Sequence, residues 1–272
     1  MTLSSQNRPI SGKKISIVTV CRNSQATIRK TVESVLSQDY SPLEYTVIDG
    51  NSQDHTLSIL KEYSSQLNLI SEPDKGYYDA ANKALKIVTG DWIHFLNSDD
   101  FYENTSTLNR TIPYLKAEAL NYGSISRILP NGSKKNLPFR YDSRWPWRNK
   151  KWQFWFTTSM LHPSMIISKH IYEAIGQYSV RWQFSSDIDL ILRILKQFPL
   201  NYVPEMSVSV LQGGMSQKHR EKTAVEFAEV TAEHGFPKPL ALAILKIKLK
   251  LLWPAIDFFD EKNTKQFLKR LT

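Results

Sequence analysis

Ten residues, DWIHFLNSDD at positions 91–100, hold the clearest pattern in this chain of 272 residues. Positions 91–96 are mostly apolar and form a run too short for a typical helix, so they predict a buried β-strand. The strand leads directly into two adjacent carboxylates, Asp99 and Asp100. Such a pair is costly to bury unless a cation lies between it and an anion. The pattern therefore predicts a strand that ends at a metal site, and an exposed turn with an acidic helix cap is the alternative.

The residues before this strand alternate short β-branched runs with helical patterns, which is typical of βαβ units and a mainly parallel sheet. Ser24 is the predicted N-cap of the first helix, and Gly90 is the predicted C-cap of the third. We predict strands at 14–20, 43–48 and 67–71, and helices after Ser24, from about Asp54 and over 77–88. The fold class is accordingly α/β.

The pattern is less regular after Tyr122. A hairpin is predicted from residues 122–129 and 134–139 around an Asn-Gly turn. Further strands are predicted at 165–168 and 202–211, and further helices at 187–198 and 218–234. The sequence contains no internal repeat and no long linker, so we expect one domain followed by a C-terminal tail.

The composition excludes several classes of protein. With 41% hydrophobic and 22% charged residues, the chain is neither disordered nor of low complexity. The single cysteine, Cys21, excludes an intramolecular disulfide framework. No apolar run approaches the roughly 18 residues of a membrane span, and the first residues lack an apolar leader. We therefore expect a cytoplasmic protein, at most peripheral at the inner face of the plasma membrane.

The net charge of +9 is concentrated in two segments. Residues 134–151 contain seven basic residues and one acidic residue, and residues 246–272 contain seven basic and three acidic residues. Tryptophan and leucine lie among these bases, which suits a lipid headgroup interface as well as a stacked nucleic-acid base. A nucleic-acid-binding protein is thus one alternative function. Two solvated basic surfaces with their tryptophans turned inward are the structural alternative.

The acidic residues at the predicted strand ends indicate a different function from nucleic-acid binding. Ligands of open α/β sheets bind at the carboxyl ends of the strands, and here residues 19–23, 49–54 and 97–100 provide polar groups at three such ends. The turn after the first strand, residues 21–24, contains no glycine, and no Walker pattern is present, which argues against dinucleotide and P-loop sites. Mg²⁺ or Mn²⁺ on Asp99 and Asp100 is then the predicted means of holding a diphosphate.

Five segments together resemble the family 2 glycosyltransferases of GT-A fold. They are IVTVCRN (17–23), VIDGNSQDHT (47–56), SEPDKGYYDAANKAL (71–85), TGDWIHFLNSDD (89–100) and SSDIDLILRIL (185–195). The chain looks most like bacterial enzymes of cell-surface polysaccharide assembly, including the colanic-acid-type transferases. The resemblance implies a GT-A domain with a Rossmann-like sheet. Its implied parts are an N-terminal extension (1–12), a transferase domain (13–235, with nucleotide-sugar part 13–120 and acceptor part 121–235) and a basic tail (236–272).

The resemblance also implies roles for residues on the donor side. Thr19 and Asp49 would hold the nucleotide base, and Lys75 would contact the diphosphate, although a solvated lysine is the alternative. Asp99 would lie near the ribose and the metal, and Asp100 would bind the metal directly. Asn97 stands where the commoner Asp-x-Asp pattern has its first aspartate, so this chain has one carboxylate fewer.

On the acceptor side, the resemblance implies that Asp187 is the general base that removes a proton from the attacking hydroxyl. A helix-dipole acid is the alternative for this residue. His162 falls in the acceptor-side segment, where a buried structural histidine is the alternative. His219 and Arg220, just after a Gly-Gly loop, are weaker candidates for phosphate contacts.

The predicted activity is an inverting transfer of a sugar from a nucleoside-diphosphate sugar, taken as UDP-linked, to a glycan or polyprenyl-linked acceptor. The apolar and basic tail, including residues 240–253, is expected either to pack on the domain or to lie at a membrane surface. No nucleic acid is expected as a partner, because the acidic strand ends would repel its phosphates. A sugar nucleotidyltransferase is the remaining alternative, but the glycine-rich basic loop of that class is absent.

Overall fold

The computed structural model of this protein describes residues 12–137, 162–237, 239–241 and 243. Its strands are β1 (Ile15–Cys21), β2 (Leu43–Asp49), β3 (Asn68–Ser71), β4 (Trp92–Phe95), β5 (Asp100–Phe101), β6 (Leu120–Ile128), β7 (Lys134–Leu137), β8 (Met165–Ser168) and β9 (Leu200–Leu211). Its helices are α1 (Ile28–Leu36), α2 (Thr56–Lys61), α3 (Tyr77–Ile87), α4 (Thr107–Thr111), α5 (Lys169–Ile175), α6 (Ser186–Gln197), α7 (Met215–Lys218) and α8 (Arg220–Glu233). These strands form one sheet in the order β3-β2-β1-β4-β8-β6-β9-β5, with β7 paired to β6.

The first four strands form the parallel part of this sheet, since β1 pairs with β2 and β4, and β2 pairs with β3. Side chains of β1 alternate between two cores. Ile15 and Ile17 pack with α1 and α2 on one face, while Val18 and Val20 pack with α3 and α6 on the other. Burial on both faces explains why this strand reads as a near-continuous apolar run. The predicted bounds of these strands are correct to within one residue.

The predicted N-cap at Ser24 is wrong. Helix α1 begins only at Ile28, after one turn in which the Ser24 carbonyl accepts the first main-chain hydrogen bonds. The Ser24 hydroxyl instead lies 2.9 Å from the hydroxyl of Ser98, in the loop after β4. The side chain therefore joins two strand ends.

The predicted C-cap at Gly90 is also wrong. Helix α3 ends at Ile87, and Gly90 lies beyond it, where its N–H donates a 2.9 Å hydrogen bond to the Ser16 hydroxyl. A Cβ at this position would lie 2.6 Å from the main-chain nitrogen of Ser16. Glycine is required here by close packing on β1, because the turn passes directly over that strand.

The second half of the sheet makes it mixed, although the α/β class is confirmed. Strand β8 runs antiparallel to β4 and β6, β5 runs antiparallel to β9, and β6 and β9 are parallel. The parallel arrangement that the sequence predicts therefore holds throughout the first four strands, whereas the second half combines the parallel pair β6–β9 with antiparallel pairs. The predicted hairpin of β6 and β7 is confirmed, and Gly132 in its turn has a φ of 76°.

Several predicted features fall outside the described residues. Most of the first basic segment, from residue 138, and the tail from residue 244 are among them. No helix within the described ranges is both long and apolar enough to cross a membrane.

Candidate active site

The polar strand ends meet at one edge of the sheet because β2, β1 and β4 are parallel neighbours. The loop after β1 contacts the loop after β4 through the hydroxyls of Ser24 and Ser98. The N–H of Gly50, after β2, donates to the carbonyl of Cys21 at 2.9 Å. The three polar segments expected from the sequence are therefore brought together.

Asp49 is fully buried at the end of β2 and is held by protein donors. Its Oδ2 accepts the Ser71 hydroxyl at 2.7 Å and the Ser52 N–H at 3.2 Å, and its Oδ1 accepts the Ser52 hydroxyl. The Cys21 thiol lies 3.8 Å from Oδ1, and burial together with the charge of Asp49 raises the pKa of this thiol. Cys21 is thus a protonated packing residue, and Asp49 fixes the loop that follows β2.

Asp74 closes the same edge from the loop after β3. A Cβ on Gly50 would overlap the Asp74 carboxylate, which shows how closely the two loops pack. The carboxylate also accepts the Gly76 N–H at 2.8 Å, directly before α3. Lys75 between them is exposed, and its N–H donates to Asp79 at 3.0 Å.

The adjacent acids have different environments. Asp100 is fully buried as the first residue of β5, opposite Val210 of β9, so the exposed-turn alternative is wrong. Its Oδ2 accepts the Asn97 amide at 2.8 Å, whereas its Oδ1 has no hydrogen-bond partner among the described residues. Burial, followed by the charge of Asp99, raises the pKa of Asp100 well above its usual value, although nearby N–H groups of Asn97 and Leu211 oppose this. Asp99 is half-buried.

Asn97 has a clear structural role in place of the expected aspartate. Its Nδ2 donates to Asp100, and its Oδ1 accepts the Tyr77 hydroxyl at 3.0 Å. An aspartate at this position would place a further negative charge against Asp100 and would have no proton to donate. The amide therefore suits the position because it both donates and accepts.

Lys218, at the end of α7, is the cation near this acidic pair. Burial raises the pKa of Asp99, and the positive charge of Lys218 opposes that rise. A Cβ on Gly214, which precedes α7, would lie 3.9 Å from the Asp99 carboxylate. The Gly-Gly loop thus approaches the acids, and Lys218 contributes a positive charge to them.

Asp187 lies in the first turn of α6 and is half-buried. Its Oδ1 accepts the Tyr78 hydroxyl at 3.1 Å and the Ile188 N–H at 2.9 Å. Burial raises its pKa to about 6, a rise to which Glu226 adds and which the two hydrogen bonds oppose. A carboxyl group with this pKa is well suited to accept a proton near neutral pH.

The loop before α6 is clamped by one side chain of α8. The Glu226 carboxylate accepts the N–H groups of Gln183, Phe184 and Ser185 at 3.1, 2.7 and 3.1 Å. Asp187 follows this clamped loop within two residues. The position of the carboxyl group is therefore fixed from α8 as well as from α3.

Tyr77 shows that the acids of the two halves converge. Burial raises its pKa well above the usual value, and the charges of Asp187, Asp100 and Asp99 all add to the rise. This ring thus lies within electrostatic range of Asp187 and of the acidic pair; its hydroxyl donates to Asn97, and the adjacent Tyr78 donates to Asp187. The structure brings these three predicted residues to a shared region, beside the strand end that carries Asp49.

The remaining predicted residues lie elsewhere or have structural partners. Thr19 is fully buried, and its hydroxyl accepts from Tyr45 at 3.1 Å, so this side chain faces the core instead of the polar strand ends. His162 is buried and pairs with the Tyr178 hydroxyl, and burial lowers its pKa to about 3, as the structural alternative expects. His219 is exposed against the ring of Phe184 at 5.1 Å. The side chain of Arg220 lies outside the described residues.

Sequence reasoning missed four residues at this site. They are Tyr77, Tyr78, Lys218 and Glu226. Both tyrosines stand in the segment SEPDKGYYDAANKAL, but nothing local indicates that their hydroxyls reach other elements. Lys218 immediately precedes the predicted His219, while Glu226 resembles any surface acid of a helix.

Comparison with known proteins adds independent evidence. The sequence profile described as Glycosyl transferase family 2 matches residues 16–176. A PGL/p-HBAD biosynthesis glycosyltransferase of Mycobacterium bovis is 25% identical over 185 residues, which cover 65% of this chain and 68% of that protein. The Escherichia coli UDP-Glc:alpha-D-GlcNAc-diphosphoundecaprenol beta-1,3-glucosyltransferase WfaP is 36% identical over 106 residues, which cover 38% of this chain and 42% of WfaP.

A solved structure shares the fold. The mannosyltransferase PcManGT of Pyrobaculum calidifontis, in complex with GDP-Man and Mn²⁺, superposes with a TM-score of 0.62. The match covers 89% of this chain and 71% of that one at 17% sequence identity. The likeness therefore concerns the arrangement of the elements.

Proposed function

The chain belongs to glycosyl transferase family 2 and is a glycosyltransferase, and from this premise we propose a specific reaction. It moves a hexose or N-acetylhexosamine from a UDP-linked sugar to a glycan or polyprenyl-linked acceptor, with inversion at the anomeric carbon. The observation that carries the proposal is the half-buried carboxyl group of Asp187, which accepts the Tyr78 hydroxyl at 3.1 Å, while the adjacent Tyr77 donates to Asn97 beside Asp100. The proposed base and the proposed diphosphate site therefore lie close enough together to act on one bound substrate.

The donor site of this proposal is the edge where β1, β2 and β4 end. Asp49 orders the loop after β2, and this loop would surround the base. The printed name of WfaP includes a UDP-sugar donor and a diphosphoundecaprenol acceptor, which supports a UDP sugar and a lipid-linked acceptor here. Lys218 and Lys75, which are both exposed, would each bring a positive charge to the diphosphate.

The acidic pair fits a divalent metal. A fully buried carboxylate oxygen without a hydrogen-bond partner, as in Asp100, is an expected ligand for Mg²⁺ or Mn²⁺. Asp100 and Asp99 would hold the ion, and the presence of Mn²⁺ in the mannosyltransferase structure supports a metal cofactor. When bound, such an ion neutralises the charge that develops on a diphosphate leaving group. Asn97, itself held by the Tyr77 hydroxyl, orients Asp100.

Asp187 would act on the acceptor. Its carboxylate removes the proton of the attacking hydroxyl as that oxygen bonds to the anomeric carbon, and the nucleoside diphosphate departs from the opposite face. A single displacement of this kind inverts the configuration. With a pKa of about 6, the group is mostly ionised at neutral pH and still basic enough to take the proton.

We extend the proposal to the organisation of the chain. Residues 13–120 would bind the nucleotide sugar, residues 121–235 would bind the acceptor, and the tail from residue 236 would bring the enzyme to a membrane surface. The parallel first half of the sheet and the mixed second half support the division at the start of β6.

Thermal-shift measurements with a panel of nucleotide sugars, each with and without Mn²⁺, test the donor and the metal together. We expect stabilisation by a UDP sugar that depends on Mn²⁺. Transfer to a lipid-diphosphate sugar acceptor then tests the reaction, and NMR of the product gives the anomeric configuration. A product that retains the donor configuration, or an Asp187→Asn variant with wild-type turnover, would contradict the mechanism.

A further inference from the structure

The hydroxyl of Tyr78 links the two halves of the chain through a hydrogen bond. It belongs to α3, in the donor half, and donates to Oδ1 of Asp187 on α6 at 3.1 Å, although the residues are 109 positions apart in sequence. Tyr78 is 8% exposed, and burial raises the pKa of its phenol well above the usual value. The group therefore stays protonated near neutral pH and acts as a donor to the carboxylate.

The ring that carries this hydroxyl is held in place. It stacks on Tyr178 with ring centres 5.5 Å apart and planes inclined by 29°. Asn82, one turn further along α3, binds the main chain of Tyr178 twice, donating to its carbonyl at 2.9 Å and accepting its N–H at 3.0 Å. The Tyr178 hydroxyl in turn contacts His162 and Tyr172. The direction of the Tyr78 hydroxyl is thus fixed by packing.

The two donors to Asp187 act on the same oxygen. Tyr78 and the Ile188 N–H both bind Oδ1, which leaves Oδ2 as the oxygen for an acceptor hydroxyl. Fixing one oxygen from two directions sets the rotation of the carboxyl plane. A carboxylate held in this way stays mostly in the orientation in which it can accept the proton.

We propose that Tyr78 is a positioning residue that aims Oδ2 of Asp187 at the acceptor hydroxyl and favours the ionised base. The proposal rests on the role of Asp187 in the proposed function. Tyr77 provides the contrast, because its hydroxyl donates to Asn97 on the side of the acidic pair. Two consecutive tyrosines thus serve different carboxylates.

The expected pH effect has a defined sign. Among the described residues, the groups that face Asp187 are Tyr78 and Tyr77 from α3, Glu226 from α8 and the Ile188 N–H of its own helix. The Tyr78 hydrogen bond lowers the pKa of Asp187, whereas burial and Glu226 raise it. Removing the hydroxyl must therefore raise the pKa of Asp187 further and move the acid limb of activity to higher pH.

The first test needs no substrate. The carboxyl of Asp187 is titrated by NMR in protein labelled with ¹³C at aspartate Cγ, and its signal is identified by its loss in Asp187→Asn. We expect Tyr78→Phe to raise the pKa by roughly half a unit or more. Tyr172→Phe is the matched control, since it removes a buried hydroxyl of the same aromatic cluster that contacts Tyr178 alone among the described side chains. An equal pKa in wild type and Tyr78→Phe overturns the proposal.

The second test measures transfer from UDP-glucose to a lipid-diphosphate sugar acceptor in the presence of Mn²⁺, followed as release of UDP. Calorimetric UDP binding serves as the check on folding. Tyr78→Phe is expected to lower kcat roughly 10-fold to 100-fold with UDP affinity within twofold of wild type. The acid limb of its pH profile should move upward, while Tyr172→Phe leaves that limb in place. If Asp187→Asn keeps its turnover, the base assignment and this proposal both fail. If Asp187→Asn is inactive and Tyr78→Phe behaves like Tyr172→Phe, only this proposal fails.

Discussion

Replacing Asp187 by asparagine is expected to abolish transfer and to make the folded protein more stable at neutral pH. The reason is that this carboxyl group is ionised in a half-buried position, where burial raises its pKa from 3.8 to about 6. The unfolded chain releases the same proton at a lower pH. Ionisation therefore favours the unfolded state, and a neutral amide removes that penalty.

The sign and size of the effect follow from this difference in pKa. As pH rises from about 4 to about 6, the unfolded state loses its proton before the folded state does, so the wild-type protein loses stability. The shift corresponds to about 3 kcal/mol at about 1.4 kcal/mol per pH unit. The stability of Asp187→Asn relative to wild type should rise by up to this amount between pH 4 and pH 8, which is about 6 °C in Tm for a chain of this size.

Denaturant unfolding of both proteins at several pH values measures the difference directly, because titrations common to both proteins cancel. Asp189→Asn is the matched control, two residues further along α6. Burial raises the pKa of Asp189, but hydrogen bonds from His234 and Arg193 outweigh it and hold the pKa below its usual value. This variant should lose stability relative to wild type, by roughly 3 kcal/mol at neutral pH and less in acid. A stability difference for Asp187→Asn that does not change with pH would refute the reasoning.

Three further variants test other parts of the site. Glu226→Gln should move the acid limb of the pH–activity profile downward by roughly 0.3 to 0.5 units, because it removes a negative charge that raises the pKa of Asp187; an upward move would contradict this. Asp100→Asn should abolish the Mn²⁺-dependent stabilisation by nucleotide sugar, about 2.7 kcal/mol at a hundredfold excess over Kd, in thermal-shift assays. Gly90→Ala should lower the free energy of unfolding by about 2 kcal/mol in urea titrations, since its methyl group would press against the Ser16 main chain.

Local patterns were sufficient for the strands that lie within the parallel half. Strands β1 and β4 are short runs whose residues are buried on both faces, so their bounds depend on few long-range contacts, whereas the edge strand β3 is only partly buried. The direction of β8 was not predictable in the same way, because a four-residue apolar run pairs equally well in either direction. Only its pairing with β4 and β6 fixes the direction, and those partners are distant in sequence.

The alternation of side chains along β1 is sufficient to predict which face of the sheet the Thr19 side chain occupies. Thr19 has the same parity as Ile17 and Cys21, which face the α1 and α2 side, so its hydroxyl reaches Tyr45 and not the strand end. The role implied by family resemblance did not use this parity. For Asp100 the opposite holds, since its burial depends on the pairing of β5 with a strand more than 100 residues later.

Helix α3 explains why the site depends on so many distant contacts. Three of its side chains leave in different directions: Tyr77 to Asn97 beside the acidic pair, Tyr78 to Asp187, and Asn82 to the main chain of Tyr178 in the acceptor half. The proposed inverting attack would need the base and the leaving group to lie on opposite sides of the sugar at a fixed separation. A single rigid helix that contacts both sides sets that separation more firmly than two loops would. Substitutions in α3 that shift its axis should therefore impair base and leaving-group positions together, which distinguishes them from substitutions at either carboxylate alone.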